Sequence, residues 1–273
     1  MAISEKVRLL GAGLYKNGIP DELTLTAIPT VSELDMVSAE DFDTTMLDKI
    51  FPSCIAEKVN FRELLEIDYY WLCRCLRILN YGPYHTTTRI FCKQCGGASG
   101  TGYQVNLETI PCKPLPEGFT NEIKIPRDSF IDFDGPVTLH LLTIQQQLNA
   151  YKDKAFQNSR GSTNREFARM CYMISEIGNR KNLTPVETKA FIEKYLSSAD
   201  YMVLKSLVTD LADYGLRAGG TCVCPKCGNK EGQFIALVDD RFFRPSVDNL
   251  RKWRDSRSQR GDKDVSATAP ADV

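Results

Sequence analysis

Two Cys-x-x-Cys-Gly motifs are the part of this sequence that could do chemistry. Cys92 and Cys95 form the first motif, Cys224 and Cys227 form the second, and a glycine directly follows each. A tight turn at this spacing points both thiolates at one place, and glycine tolerates the positive φ that the turn needs. Four thiolates complete a tetrahedral shell, which is typical of structural rather than catalytic zinc. The sequence therefore predicts one structural Zn²⁺ bound by all four cysteines.

The two motifs lie far apart, with 128 residues between Cys95 and Cys224. An uninterrupted zinc ribbon has about 15–20 residues there. The matching local form of the motifs favours a single ribbon that carries a large insertion. The alternative is two separate redox dithiols, but neither motif has the strand–helix–strand setting of a thioredoxin-like site. A cysteine-dependent redox enzyme is therefore the least favoured function.

The sequence leaves open whether two further residues can replace a zinc ligand. Cys222 lies two residues before Cys224, and His85 lies seven residues before Cys92, where it would be redundant beside four thiolates. The other histidine, His140, alternates with apolar residues and is predicted on the polar face of a strand. No phosphate-binding, dinucleotide-binding or nucleophile motif occurs, so we expect a protein that is not an enzyme.

The composition is that of an ordinary globular protein with one large or two modest domains. The 273 residues include 34 basic and 35 acidic side chains, so no overall basic field indicates nucleic acid. No apolar run reaches the ~18–20 residues that span a bilayer, and no signal peptide is recognisable. We therefore expect a reducing cytosol, where the ten cysteines suit metal binding and core packing better than disulfides.

The elements that must position the cysteines are strands on either side of each motif. The alternating patterns predict these strands at 86–91, 103–107, 221–223 and 233–238. A helix over Asn60–Asn80, apolar nearly all round at its centre, precedes the first motif and ends at Gly82. This helix and the ribbon are expected to form one module.

The insertion between the motifs is predicted to contain two short strands and four helices. The strands are 122–126 and 137–142; the helices are 143–158, 163–178, a third from Thr184 and 198–214. Capping boxes are predicted at Thr30, Thr163 and Thr184. The expected fold class is thus α+β, with a zinc-ribbon-like β element split by a large, mainly helical insertion.

The chain is predicted to divide into five segments. Glycines before Pro20 should prevent anything longer than a turn or two, and the last residues lack apolar periodicity. The segments are an N-terminal arm (1–21), a strand, helices and the first motif (22–95), a β element and helical insertion (96–220), the second motif and closing strand (221–250), and a disordered charged tail (251–273).

The layout resembles the base plate, or tail hub, proteins of T-even-type tailed phages. The resemblance covers about residues 22–240 and rests on pattern more than on long identity; its segments are Leu23–Leu34, Glu66–Gly82, Cys92–Gly96, Val105–Leu107 and Gly135–Thr143. It implies a structural or assembly role in a contractile tail, with other tail and hub proteins as partners and no catalysis. It also implies the host cytoplasm during assembly, and leaves open whether the protein stays in the virion base plate.

The alternative from another class is a zinc-ribbon nucleic-acid-binding accessory factor. Lys93, Lys226 and Lys230 accompany the cysteines, and several arginines follow Leu250. Acidic residues also occur after Leu250, however, and the motifs have few aromatic neighbours for base stacking. We therefore expect protein partners and no specific nucleic acid.

Overall fold

The computed structural model describes residues 4–87, 90–97, 102–158, 161–217, 219–235, 242–243 and 250–251. Within these ranges helices and sheets are mixed, which agrees with the α+β prediction. The α-helices are α1 (Thr30–Val37), α2 (Phe42–Thr45), α3 (Phe51–Cys54), α4 (Glu66–Tyr81), α5 (Ile144–Lys152), α6 (Arg165–Met173), α7 (Pro185–Tyr195) and α8 (Ser198–Ala212). A π-helical turn, Met46–Ile50, joins α2 to α3.

The strands are short, and in the described ranges they pair antiparallel, mostly in two-stranded sheets. They are β1 (Ser4–Arg8), β2 (Glu22–Thr26), β3 (Tyr84–Thr87), β4 (Ile90–Phe91), β5 (Tyr103–Asn106), β6 (Cys112–Lys113), β7 (Ile123–Ile125), β8 (Val137–Leu139), β9 (Ile174–Ile177), β10 (Arg180–Lys181), β11 (Gly215–Leu216), β12 (Gly219–Cys222) and β13 (Gly232–Ile235). Single 3-10 turns lie at Phe61–Glu63, Leu107–Thr109, Arg127–Ser129 and Lys154–Phe156. No helix in the described ranges is both long and apolar enough to cross a membrane.

Two clusters of buried apolar side chains organise these elements. The first surrounds α4 and gathers side chains from β1 through the turn that follows β5. It also takes in residues that are remote in sequence: Ile144, Leu148, Cys222, Phe234, Phe242 and Phe243. The second cluster lies between the four-stranded sheet β10-β9-β8-β7 and helices α6, α7 and α8. Residues around the second cysteine motif therefore share a core with the N-terminal third of the chain.

Helix α4 is the centre of the first core, but it begins later than predicted. Leu64 is followed by an extended Leu65, and Leu65 forms a bridge with Thr143. The Leu64 carbonyl accepts a hydrogen bond from the Ile144 N–H at 2.8 Å. These two residues pair with the insertion and cannot continue a helix from Asn60, so the predicted start is wrong by six residues.

The N-terminal segment is more ordered than its glycines suggested. β1 pairs with β2 in an antiparallel hairpin, and Val7 and Leu9 are buried. Behind the hairpin, the buried Asp68 carboxylate accepts hydrogen bonds from the N–H groups of Leu10 and Gly11 and from the Tyr15 hydroxyl. Burial nevertheless raises the pKa of Asp68 to about 6. The prediction of nothing longer than a turn or two before Pro20 is wrong, because it took no account of these distant partners.

The second core contains another departure from the prediction. Ile174 and Ile177, assigned to the apolar stripe of a helix, belong to strand β9, and α6 ends at Met173. β9 lies in the sheet interior, where Ile177 pairs with Val137 of β8. Short apolar runs suit a buried strand as well as a helix, and only the sheet partner decides between them.

The four predicted helices of the insertion are present as α5 to α8, but their caps differ in part. The Thr184 capping box is confirmed, and Thr143 forms a further one with Gln146 that was not predicted. The Thr163 box is wrong, because the Asn164 side chain caps α6. The Thr30 box is also wrong: Pro29 precedes α1 without a side-chain cap, and Glu33 instead accepts a hydrogen bond from the Tyr81 hydroxyl.

The insertion is attached to α4 by contacts that do not involve the cysteine motifs. Arg169 of α6 forms an ion pair with the Glu66 carboxylate at 2.7 Å, and Gln147 Nε2 donates to the same carboxylate at 2.7 Å. Burial raises the pKa of Glu66, and Arg169 acts in the opposite direction. Strand β11 pairs with β6 beside these contacts. The ends of the insertion are therefore held together even apart from the cysteines.

A buried guanidinium fixes the chain beyond β13. Arg77 of α4 is fully buried and donates hydrogen bonds to the carbonyl oxygens of Phe242 at 2.6 Å, Gly82 at 2.7 Å and Tyr84 at 2.8 Å. Burial lowers the pKa of Arg77 to about 10, so it stays charged at neutral pH. Phe243 packs against the Phe42 ring. Phe242 and Phe243 are thereby tied to the first core.

Some predictions fall, wholly or in part, on residues outside the described ranges. They are the disordered tail (251–273) apart from Arg251, and the closing strand beyond Ile235. The first part of that closing strand is present as β13.

The buried Arg77 contacts predict a large loss of stability in Arg77→Met. The variant removes the charged donor and leaves three carbonyl oxygens without it, so we expect the free energy of unfolding to fall by about 3–5 kcal/mol. Urea denaturation followed by circular dichroism measures the change. Arg217→Met is the control, since Arg217 is half exposed and pairs with Asp213 on the surface. Equal midpoint shifts in the two variants would contradict the prediction.

Candidate metal centre

A three-stranded sheet brings the two cysteine motifs together. Its strand order is β12-β13-β4, and all the pairs are antiparallel. The second motif forms the turn between β12 and β13, whereas the first follows directly after β4. Because Gln233 of the central strand pairs with both Thr221 and Phe91, the ends of the outer strands lie at the same level on either side of β13. The predicted strand at 86–91 is thus divided: β3 pairs with β5, and β4 crosses to β13.

The two turns have the same local geometry. In the first, the Gly96 N–H donates to the Cys92 carbonyl at 2.8 Å, with Gly96 at φ 76°. In the second, the Gly228 N–H donates to the Cys224 carbonyl at 2.9 Å, with Gly228 at φ 73°. A positive φ of this size strains any residue that has a Cβ, which explains the glycine after each motif.

All four predicted site residues come together at one point. The Sγ atoms of Cys92, Cys95, Cys224 and Cys227 lie within 4.8 Å of one another. Two of these distances run between the motifs, 3.6 Å from Cys92 to Cys227 and 3.6 Å from Cys95 to Cys224. A tetrahedral metal site with metal–sulfur bonds of about 2.3 Å has sulfur–sulfur edges of about 3.8 Å. The cluster therefore has the size and ligand set for one metal ion.

The thiols of the cluster titrate unequally. Desolvation would raise the pKa of Cys92, but hydrogen bonds from the backbone N–H groups of Cys95 and Gln94 and from Asn229 outweigh it and lower the pKa to about 6. Cys227 changes in the other direction: despite a backbone hydrogen bond from Asn229, desolvation and the neighbouring thiols raise its pKa to about 12. Thiolates this close repel one another, and a metal cation among them allows all four to ionise.

Neither Cys222 nor His85 belongs to the four-sulfur group found in the described part of the chain. The Cys222 side chain is buried in the first core. His85 packs against the Phe242 ring, with ring centroids 5.3 Å apart, and burial together with Arg77 lowers its pKa to about 4. Burial also raises the pKa of the Cys54 and Cys171 thiols to about 12, which makes them poor nucleophiles.

His140 lies away from the cysteines, at a separate cleft. It follows β8, and its backbone N–H donates to the Met173 carbonyl. The cleft measures about 1120 Å³ and has polar walls that include Thr138, Glu176 and Lys181. Burial lowers the pKa of His140, so its imidazole is neutral near pH 7. The sequence did not predict this cleft, since its walls come from five separate parts of the chain.

Sequence reasoning also missed Asn229 beside the cluster. Its side-chain Nδ2 donates to Cys92 Sγ at 3.6 Å, and its backbone carbonyl accepts from the Cys224 N–H at 2.7 Å. A sequence feature could have indicated Asn229, because it directly follows the glycine of the second motif. Only the fold shows that it faces a cysteine of the first motif.

Comparisons of the chain with protein-family models, with curated proteins and with solved structures gave no significant match.

The cluster predicts one divalent metal ion per chain, measurable by elemental analysis and native mass spectrometry of protein purified without added metal. Serine in place of any one of the four cysteines removes a thiolate from the shell and should reduce metal content sharply. Cys171→Ser should keep full occupancy, because Cys171 is buried in the second core. Full metal content in a Cys224→Ser/Cys227→Ser double variant would refute the shared site.

Proposed function

We propose that this chain is a zinc-stabilised structural or assembly protein of a contractile phage tail base plate. The observation that carries the structural-metal part of the proposal is the cluster of four cysteine sulfurs assembled from two distant turns. A complete thiolate shell leaves no position for water or substrate, and so it suits a structural metal. Tetrahedral thiolate sites take zinc or an iron–sulfur cluster, and the single-ion size of this shell favours Zn²⁺.

The finer fold proposal is a zinc ribbon split by an insertion. The two turns that carry the cysteines and the antiparallel order β12-β13-β4 support it. Residues 96–223 then form the insertion, which contains the second hydrophobic core. Zinc would complete the ribbon because its small three-stranded sheet buries few side chains of its own, Ile90, Cys222 and Phe234 among them.

The tail base plate assignment rests on the resemblance of the segments that lead into and follow the first cysteine motif. Such a protein acts through surfaces offered to other tail and hub proteins. Exposed apolar side chains provide candidate contacts. Val31 (69% exposed) and Leu34 (65%) are three residues apart on α1. Phe91 and Val223 are also exposed, and each directly precedes the first cysteine of a motif. The proposed setting is the host cytoplasm during assembly, with the virion base plate as the destination if the protein is retained.

The second candidate function, nucleic-acid binding by the ribbon, also has an observation in its favour. Phe91 is 55% exposed on an outer strand of the sheet that brings the motifs together. Lys93 lies in the first cysteine turn, Lys226 lies in the second, and Lys230 follows the second motif. An exposed aromatic ring with nearby lysines is a common surface for single-stranded nucleic acid. A single exposed ring gives little stacking area, however, so protein partners remain the favoured reading.

Removal of the metal should loosen the ribbon and leave the insertion folded. The two turns lose their common cation, whereas the insertion keeps its own core and the Arg169–Glu66 contact. We expect a chelator to leave most helical circular dichroism unchanged while trypsin cuts faster after Lys93 and Lys226, which lie inside the turns.

The insertion serves as the internal control for this digestion. Lys181 lies in β10, which remains paired with β9 at the second core, so cleavage after Lys181 should not accelerate. Mass spectrometry of the fragments locates each cut. Equal rates of cleavage after Lys93 and Lys226 with and without metal would argue against a stabilising role for the site.

The two candidate functions predict different partners. Co-purification from infected cells should recover tail or hub proteins with the metal-bound chain, and this recovery should fall for Cys224→Ser. Binding to single-stranded and duplex DNA should stay weaker than micromolar at physiological salt. Submicromolar DNA binding with a steep salt dependence would instead support the nucleic-acid function.

A further inference from the structure

Two side-chain amides cross between the cysteine turns. Asn229, which follows the second turn, places Nδ2 3.6 Å from the sulfur of Cys92 in the first turn. Gln94, inside the first turn, places Oε1 3.9 Å from the sulfur of Cys227 in the second. Each turn therefore offers an amide to a cysteine of the other turn, and those two cysteines are themselves in contact at 3.6 Å.

The orientation of Asn229 is fixed by its other contacts. Its Oδ1 accepts from the Glu231 N–H at 3.1 Å, and its backbone carbonyl accepts from the Cys224 N–H at 2.7 Å. The amide oxygen is thus occupied by a backbone donor, which leaves the NH₂ group toward Cys92. An N–H directed at sulfur stabilises the thiolate form, and a metal requires this form.

Gln94 is exposed, so its amide can turn. In the present contact the Cys227 thiol donates to the amide oxygen at 3.9 Å. When a metal takes the place of that proton, the sulfur becomes an acceptor only, and a half-turn of the amide brings Nε2 to it. Water competes at this exposed position, so the contact from Gln94 should contribute less than the contact from Asn229.

We propose that Asn229 is a positioning residue of the metal centre, with Gln94 as its weaker counterpart. Four thiolates around a divalent cation carry a net charge of about −2, and amide N–H groups disperse that charge. Asn229 also joins the two turns, since one residue contacts a cysteine of each. This inference rests on the proposed metal binding and concerns how tightly the site holds its ion.

The test compares Asn229→Asp with the full-length wild type. Aspartate keeps the oxygen that accepts from Glu231 but replaces the N–H donor with an oxygen that repels the Cys92 sulfur. Competition with a chromophoric chelator should show zinc bound about 10–100-fold more weakly. Gln94→Ala should lose less affinity than the Asn229 variant.

A cobalt spectrum separates this role from general destabilisation. At saturating Co²⁺, loss of the N–H contact should move the sulfur-to-cobalt charge-transfer band to longer wavelength in both Asn229→Asp and Asn229→Ala. The band position is read at full occupancy, so it does not depend on how much stability the variant has lost. A purely structural role of Asn229 would leave the band in place.

Asn106→Asp is the matched control, because Asn106 also accepts a backbone hydrogen bond through Oδ1, from Glu108 at 3.0 Å, but lies outside the metal site. It should keep wild-type affinity and the wild-type band. Wild-type affinity and an unshifted band in both Asn229 variants would overturn the inference while leaving the proposed metal site intact. Failure of the wild type to bind zinc or cobalt would overturn both.

Discussion

The convergence of four sulfurs from the two ends of a long insertion is the constraint on which the ribbon depends. Residues 96–223 separate the two turns, and the entropy lost on closing such a loop grows only slowly with its length. Structural zinc binding in small fingers is worth on the order of 10 kcal/mol. This is far more than the free energy that each doubling of loop length adds to the cost of closing the loop. The proposed metal between Cys92, Cys95, Cys224 and Cys227 would therefore hold together a sheet that buries few side chains of its own.

Contacts elsewhere in the fold also hold the insertion and its flanking segments in place. β4 pairs with β13 across the insertion, and Arg77 ties the carbonyl of Phe242 to helix α4. The insertion has its own core and reaches α4 through the Arg169–Glu66 ion pair. The proposed metal and the protein contacts would thus act on different regions: the metal on the two turns, the buried polar contacts on the insertion and on Phe242. This division explains why a loose ribbon need not mean an unfolded protein.

The arrangement suits a protein that acts by presenting a binding surface to other proteins. The proposed zinc fixes two turns that carry Lys93, Lys226 and the neighbouring exposed Phe91, while the insertion presents helices on a separate core. The outer amides of Asn229 and Gln94 would make the retention of the ion depend on how closely the two turns approach. Metal affinity and the shape of this surface would then be coupled through the same few contacts.

The sequence by itself determined which four cysteines form the cluster, the α+β class and the four insertion helices, because these follow from local spacing and periodicity. Cysteine spacing and the glycines after it are properties of a single turn, and the Thr184 capping box is closed within four residues. Tertiary structure decided what depends on distant partners. Ile174 and Ile177 lie in a strand because β8 pairs with it. β1 forms because it pairs with β2, and the Asp68 carboxylate accepts a hydrogen bond from Leu10, two residues after β1. No local pattern shows that Asn229 meets Cys92, since 136 residues separate them and only the folded sheet brings the two turns together.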